Sequence, residues 1–353
     1  ILTDPAGRQM VDGIPLPVIV VDRPRQAMAG VAATIYGRPA DALTMCAVTG
    51  TNGKTTTTFL LEAALRAGGV GTGLIGVAAP AVVAAAFPSE RRGTPMGIWA
   101  MWVPVGGLLM YLVAPTLAAA YGWAAAWWLA AGVAAVGLVA YVVVLRRAGM
   151  AGAGQGSGSS AEAVAELRAG LGGRDVWLLV LSFALFATAA SAPNTFTTTF
   201  LAEERGMDLT TASLLAGLVL AGAAIGSILG GAVSDRIGSR RRVIVGGLIL
   251  FGALLALPFL ADGALIPVSL LCLGLAVGAV PAAVFASVPE VVPRPHLTGA
   301  GMAGVMLGQN AGFVIGPLVF VVLLPALGWA GTAATFGLVA LLGALVGSRI
   351  RLR

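Results

Sequence analysis

The sequence predicts a mainly α, polytopic membrane protein of about 8–9 transmembrane helices, preceded by a small α/β fragment. Three observations predict it. Of 353 residues, 58% are hydrophobic and only 10% are charged, more apolar surface than a soluble chain of this length can bury. Apolar stretches of about 20 residues, the length that crosses a ~30 Å hydrocarbon core as a helix, follow one another from residue 68 onward. Arginines gather in alternate gaps between those stretches, as in cytoplasmic loops. The fifty glycines suit the same class, because small side chains let helices approach closely in lipid. Loop arginines account for the net charge of +6, so no nucleic-acid partner is implied. Cys46 and Cys272 stand far apart in unlike contexts, which predicts neither a disulfide nor a metal site. No charged n-region, apolar core and small-residue cleavage site opens the sequence, so no signal peptide is expected.

The elements of the first part alternate strand and helix. "PVIVVD" (17–22) reads as a short buried strand. "PRQAMAGVAATIYG" (24–37) reads as a helix with Pro at its start and Gly at its end. "LTMCAV" (43–48) is a second strand that runs into the Gly-rich turn of "VTGTNGKTTTTF" (48–59), and a helix follows to Gly68. A strand, a Gly-rich turn and a helix N-terminus together present backbone N–H groups to phosphates. Lys54, within that turn, is the only lysine in the sequence.

The second part reads as spans at about 68–87, 95–120, 123–145, 176–201, 210–233, 243–261, 264–286, 299–324 and 329–348. Between the third and fourth lies a Gly/Ser-rich linker at 146–175, with a short surface helix expected toward its end. Arg91, Arg92, Arg146, Arg147, Arg168, Arg174, Arg236, Arg240, Arg241, Arg242, Arg294, Arg349, Arg351 and Arg353 all fall on one side, against Arg205 alone on the other. The positive-inside rule then places the linker and the C-terminus in the cytoplasm of a bacterial-type inner membrane.

"GGAVSDRIGSRRRV" (230–243) joins two spans on that side. It resembles the signature loop of the major facilitator superfamily, Gly-x-x-x-Asp-Arg-x-Gly-x-Arg-Arg, with Ser239 where relatives often carry a basic residue. The resemblance implies that Gly231 permits close helix contact and that Asp235 caps and pairs with basic groups at a neighbouring helix end. It further implies that Arg236, Arg240 and Arg241 latch one state of a transporter, with Gly238 part of the same signature. "FPSERRGTPMGIW" (87–99) resembles the family's loop between helices 4 and 5, and "GFVIGP" (312–317) resembles an element of helix 11. "VPRPHLTGAGMAG" (292–304) echoes 87–99, as two related halves require. Counted from these landmarks, the sequence carries counterparts of helices 5 to 12, an incomplete major facilitator fold. Residues 68–87 stand for helix 4, 77–145 for the end of the first half, and 176–353 for the six-helix second half.

The resemblance implies gradient-driven movement of a small solute through the lipid bilayer, with no cofactor. No span holds a confident Asp, Glu, Lys, Arg or His, so no intramembrane proton carrier is indicated. Asn194, Gln309 and Asn310 are the polar candidates for the path, with interhelical hydrogen bonding as the alternative. Trp99, Trp102, Trp127 and Trp128 read first as belt or packing residues. The sequence does not name the solute or the oligomeric state.

Residues 48–76, "VTGTNGKTTTTFLLEAALRAGGVGTGLIG", and 18–44 are similar to Mur ligases of the UDP-N-acetylmuramyl-tripeptide synthetase type. The resemblance covers about 1–76. It implies an ATP loop of Gly50, Thr51, Asn52, Gly53, Lys54, Thr55 and Thr56, with Lys54 at the β/γ-phosphates and Thr55 holding Mg²⁺. It also implies a carbamylated lysine, for which no second lysine exists here. Weak nucleotide binding and no amide synthesis are therefore expected. Whether the two parts form a native fusion is left open, as is the side of the membrane on which 1–67 lies.

Overall fold

The computed structural model describes residues 2–3, 5, 18–21, 79–147 and 160–352. The chain divides into two compact units, 1–69 and 70–353. In the first, β1 (Leu2–Thr3) pairs in parallel with β2 (Ile19–Val20), which lies inside the strand expected at 17–22. The helix expected at 24–37, the strand at 43–48 and the phosphate loop at 50–56 lie outside the described residues.

The second unit is helical throughout its described residues. Its helices are α1 (Ala79–Ala86), α2 (Gly93–Ala100), α3 (Trp102–Tyr121), α4 (Ala124–Arg147), α5 (Ser160–Gly170), α6 (Arg174–Thr199), α7 (Leu209–Ile237), α8 (Arg240–Leu254), α9 (Leu257–Leu260), α10 (Leu265–Val291) and α11 (Thr298–Gly347). Among the described residues, six stretches are long and apolar enough to cross a membrane: Gly93–Ala118, Arg174–Glu204, Leu209–Ile237, Arg240–Leu260, Leu265–Val291 and Pro295–Gly347. Of the first expected span, 68–87, the described part is the eight-residue α1. The surface helix expected in the linker is α5.

Helix ends follow local chemistry. Asp208 caps α7, its carboxylate accepting from the Thr211 amide at 3.0 Å. Gly238 ends α7 in the left-handed region, φ 64°, a conformation open to Gly at little cost. The Thr211 hydroxyl, and then the Thr211 amide, hold the Asp208 carboxyl below the usual carboxylate range. A depressed carboxyl stabilises the fold above its unfolded pKa and loses that contribution as pH falls through the folded value. Acidification below about pH 4 is therefore expected to fray the first turn of α7. Asn caps as well as Asp, so Asp208→Asn is expected to keep the turn and lose its pH dependence. Amide hydrogen exchange across 209–212 reads both.

Packing within lipid depends on close contact, since apolar surface gains nothing by leaving lipid tails for another helix. Along α7 and α10 the small residues supply that contact. A Cβ on Gly222 would lie 2.5 Å from the Leu271 carbonyl oxygen, and one on Gly230 would lie 2.5 Å from Ala279 Cα. The two numberings rise together, so α7 and α10 run parallel. On α11, a Cβ on Gly308 would lie 2.9 Å from the Val180 carbonyl oxygen and one on Gly312 2.5 Å from that of Ala184, so its first part runs parallel to α6. At Gly328 (φ 64°, ψ 178°) the helix breaks. Beyond it Trp329 Nε1 donates to Glu204 at 3.0 Å and the Gly343 carbonyl accepts from Ser182 at 2.9 Å. The order is now antiparallel to α6, so the chain has turned back at Gly328.

Aromatic rings fill the interior at two levels. Phe183 stacks on Phe186 at 5.5 Å and meets Phe285 edge-on at 5.4 Å. Toward the other end Phe200, Phe259 and Trp329 close a second cluster. Large apolar side chains such as Leu307, Val322 and Leu338 are exposed, as a lipid-facing surface requires.

Candidate functional site

Two features stand out in the second unit: a polar junction at one end of the helices and a cavity between them. The junction begins with close approach. A Cβ on Gly93, at the start of α2, would sit 2.5 Å from the Gly231 carbonyl oxygen of α7. With both residues Gly, the helices meet backbone to backbone. That contact brings the first amides of α2, which have no intrahelical acceptor, to Asp235. One carboxylate oxygen accepts from Gly93 N at 2.7 Å; the other accepts from Thr94 N at 2.8 Å and Thr94 Oγ1 at 3.0 Å.

Arg240, buried at the start of α8, completes the junction. Its Nε donates to Glu290 at 2.6 Å, Nη1 lies 3.4 Å from Ser234 Oγ and 3.8 Å from Asp235, and Nη2 donates to the Ser89 carbonyl. One guanidinium thus links the loop before α2, the end of α7 and the end of α10. Arg92 is half-buried beside it. Burial, and then repulsion from Arg240, push its guanidinium below the ordinary value. Arg236 and Arg241 are exposed, and neither makes an ion pair among the described residues. Arg241 lines a cleft of about 710 Å³ with Glu90, Ser239 and Arg351.

At the opposite end, an arginine joins the end of α6 to the turn before α10. Arg205 bonds Asp262 at 2.5 Å and the Ala261 carbonyl at 2.9 Å, with its guanidinium carbon 5.3 Å from the centre of the Phe200 ring.

Between the ends, a narrow cavity of about 70 Å³ lies where α2 and α3 meet α6, α7, α10 and α11. Its wall includes Trp99, Trp102, Phe186, Phe285, Phe313 and Gln309. Trp99 stands edge-on to Phe285 at 4.9 Å. Of the three polar candidates for the path, Gln309 lines the cavity and Asn310 is exposed. Asn194 falls in α6, with its side chain outside the described ones. Trp127 and Trp128 are exposed on α4, whereas Trp99 and Trp102 face the cavity. Sequence reasoning missed Glu290, Thr94 and Ser89. A lone acid closing a 27-residue apolar helix, as Glu290 does, is the signal that pointed to it.

Comparisons with known proteins bear on each part. The first part is 46% identical over 91 residues to the UDP-N-acetylmuramoyl-L-alanyl-D-glutamate--2,6-diaminopimelate ligase of Streptomyces coelicolor, covering 26% of this chain and 18% of that one. It is 51% identical over 63 residues to a UDP-N-acetylmuramyl-tripeptide synthetase of Roseiflexus sp., covering 18% and 12%. The chain therefore spans less than a fifth of these relatives. The fold is similar to a crystal structure of a bacterial homologue of the iron transporter ferroportin in an outward-facing state. That match has a TM-score of 0.51 and 16% identity, over 76% of this chain and 65% of that one. The family model described as Major Facilitator Superfamily matches residues 26–213 and 179–353, the first match starting inside the ligase-like part. A multi-pass membrane transporter fold, matched over most of its length by that family model, means that the chain belongs to the Major Facilitator Superfamily.

Proposed function

We propose that the chain carries a small solute across a bacterial-type inner membrane, driven by a gradient, with the central cavity as its path and the C-terminus in the cytoplasm. The observation that carries this reading is the wall of the cavity. One side is α2–α3; the other is α6, α7, α10 and α11. Movement of the first group against the second opens or closes the cavity, as alternating access requires. The Asp235 junction ties the cytoplasmic ends of the two groups, and the Arg205 bonds keep the outer end of α6–α11 together as one body. On this reading the chain holds counterparts of helices 5 to 12, with 68–87 for helix 4. The test is uptake by proteoliposomes of purified chain under an imposed proton or sodium gradient. Flux without ATP is expected; flux that requires ATP would overturn the gradient-driven reading.

The ligase-like similarity supports a second, separate property of residues 50–56. They lie outside the described residues, and no step of transport is routed through a nucleotide. Purified chain is expected to bind Mg-ATP weakly, to lose that binding in Lys54→Ala, and to form no amide from UDP-linked muramyl substrate and amino acid. Equilibrium dialysis and product mass spectrometry read the two outcomes, and amide formation would sink this assignment.

A further inference from the structure

We infer that the cargo is a lipophilic aromatic compound that carries an amino group and no negative charge. This rests on the central cavity being the transport path. None of the described side chains lining the cavity is charged. An anion entering it would lose its hydration with no cation to meet it, at a cost that grows steeply in an apolar site. Five aromatic rings stand in the wall, those of Trp99, Trp102, Phe186, Phe285 and Phe313. Their faces carry the negative part of the ring quadrupole and attract cations and ring edges.

The polar groups point to the same class. Ser227 is engaged, donating to the carbonyls of Ala223 at 2.9 Å and Gly278 at 3.1 Å. Gln309 offers one amide. The remaining capacity comes from proline. Pro104 and Pro281 both line the cavity and lie in the helical segments α3 and α10. Neither has an N–H, so the carbonyls four residues earlier, Ala100 and Val277, lose their usual helix donor. Ala100 and Val277 also line the cavity. An amino group on the cargo would supply donors to these carbonyls and to the Gln309 oxygen. A metal-ion cargo fits poorly: among the described residues, no three His, Cys, Asp or Glu side chains group as a donor set. A cavity of about 70 Å³ is too small for such a compound, which needs a few hundred. On the transport reading, movement of α2–α3 against the other helices must widen it to admit the cargo.

The experiment uses purified full chain in nanodiscs, with empty nanodiscs as reference. Ethidium, an aromatic cation with two amino groups, is compared with 2-naphthoate by equilibrium dialysis. Saturable ethidium binding at least tenfold tighter than naphthoate is expected. Gln309→Glu is expected to tighten ethidium about tenfold, and Gln309→Lys to weaken it by as much. Naphthoate bound as tightly as ethidium, or ethidium indifferent to both substitutions, would overturn the inference. Flux in proteoliposomes separates this inference from the transport reading. Gradient-driven flux of an anion that Gln309→Lys alters refutes the cargo class and leaves transport standing. Cavity binding of ethidium with no flux of it, while another solute is carried, refutes the cargo class and leaves transport standing.

Discussion

Asp235→Ala is expected to reduce solute flux at least tenfold while the chain remains in the membrane. The carboxylate takes three hydrogen bonds at 2.7, 2.8 and 3.0 Å from Gly93 and Thr94. Hydrogen bonds to a charged group contribute about 1.5–3 kcal/mol each where water is displaced. A negative charge at a helix N-terminus adds about 0.3–1 kcal/mol. The Asp235 side chain is about as buried as that of Glu290, but bonds that share one carboxylate do not add in full, so the total falls below the sum of the lower ends, at about 3 kcal/mol. About 1.4 kcal/mol is a factor of ten in population. Removing the carboxylate therefore shifts the balance between joined and parted α2 and α7 by roughly a hundredfold, and a carrier that must visit both states stalls. Asp235→Asn keeps one acceptor oxygen and is expected to lose less. A cysteine placed at exposed Ser89, in a background lacking Cys46 and Cys272, reports the parting through an impermeant thiol reagent. Retained flux with unchanged labelling in Asp235→Ala would remove the junction from the mechanism.

The membrane class and the family were legible in the sequence because both rest on local pattern. A 20-residue apolar run needs no partner to be recognised, and Gly231, Asp235 and Gly238 stand close together in one loop. Partners were not legible. Asp235 meets Gly93 across 142 residues and Arg240 meets Glu290 across 50, separations at which only the packed helices decide who meets whom. Gln309 and Asn310 show the same limit at short range. Adjacent residues on a helix point about 100° apart, and their identical chemistry could not say which one faced inward. The cavity position of Trp99 and Trp102 was hidden for a related reason: aromatic residues at membrane depth serve belts, cores and binding walls alike. Of the break in α11, the sequence offered only the gap between spans ending at 324 and starting at 329, which contains Gly328.

Arg240→Met is expected to cost the most stability. Glu290 is 14% exposed and Arg240 7%, so removing the guanidinium strands a nearly buried carboxylate. Breaking such a pair on one side costs about 3–5 kcal/mol, a large share of the 5–15 kcal/mol that holds an ordinary domain together. The Ser89 carbonyl and Ser234 hydroxyl lose a donor at the same time. Arg240→Lys keeps the charge but not the fork. A single ammonium cannot reach three elements in three directions, so an intermediate loss is expected. The discriminating variant is Arg240→Met combined with Glu290→Leu. If the single cost is mostly that of an abandoned charge, the double variant recovers most of the lost thermal midpoint, because an apolar pair of similar volume replaces a buried ion pair at little cost. If the guanidinium matters chiefly through Ser89 and Ser234, the double variant is no more stable than Arg240→Met. Thermal midpoints of the detergent-solubilised wild type, both singles and the double close the cycle. Coupling of at least 2 kcal/mol is expected for a charge pair in this range, and coupling near zero would mean that Arg240 and Glu290 do not stabilise the junction as a pair.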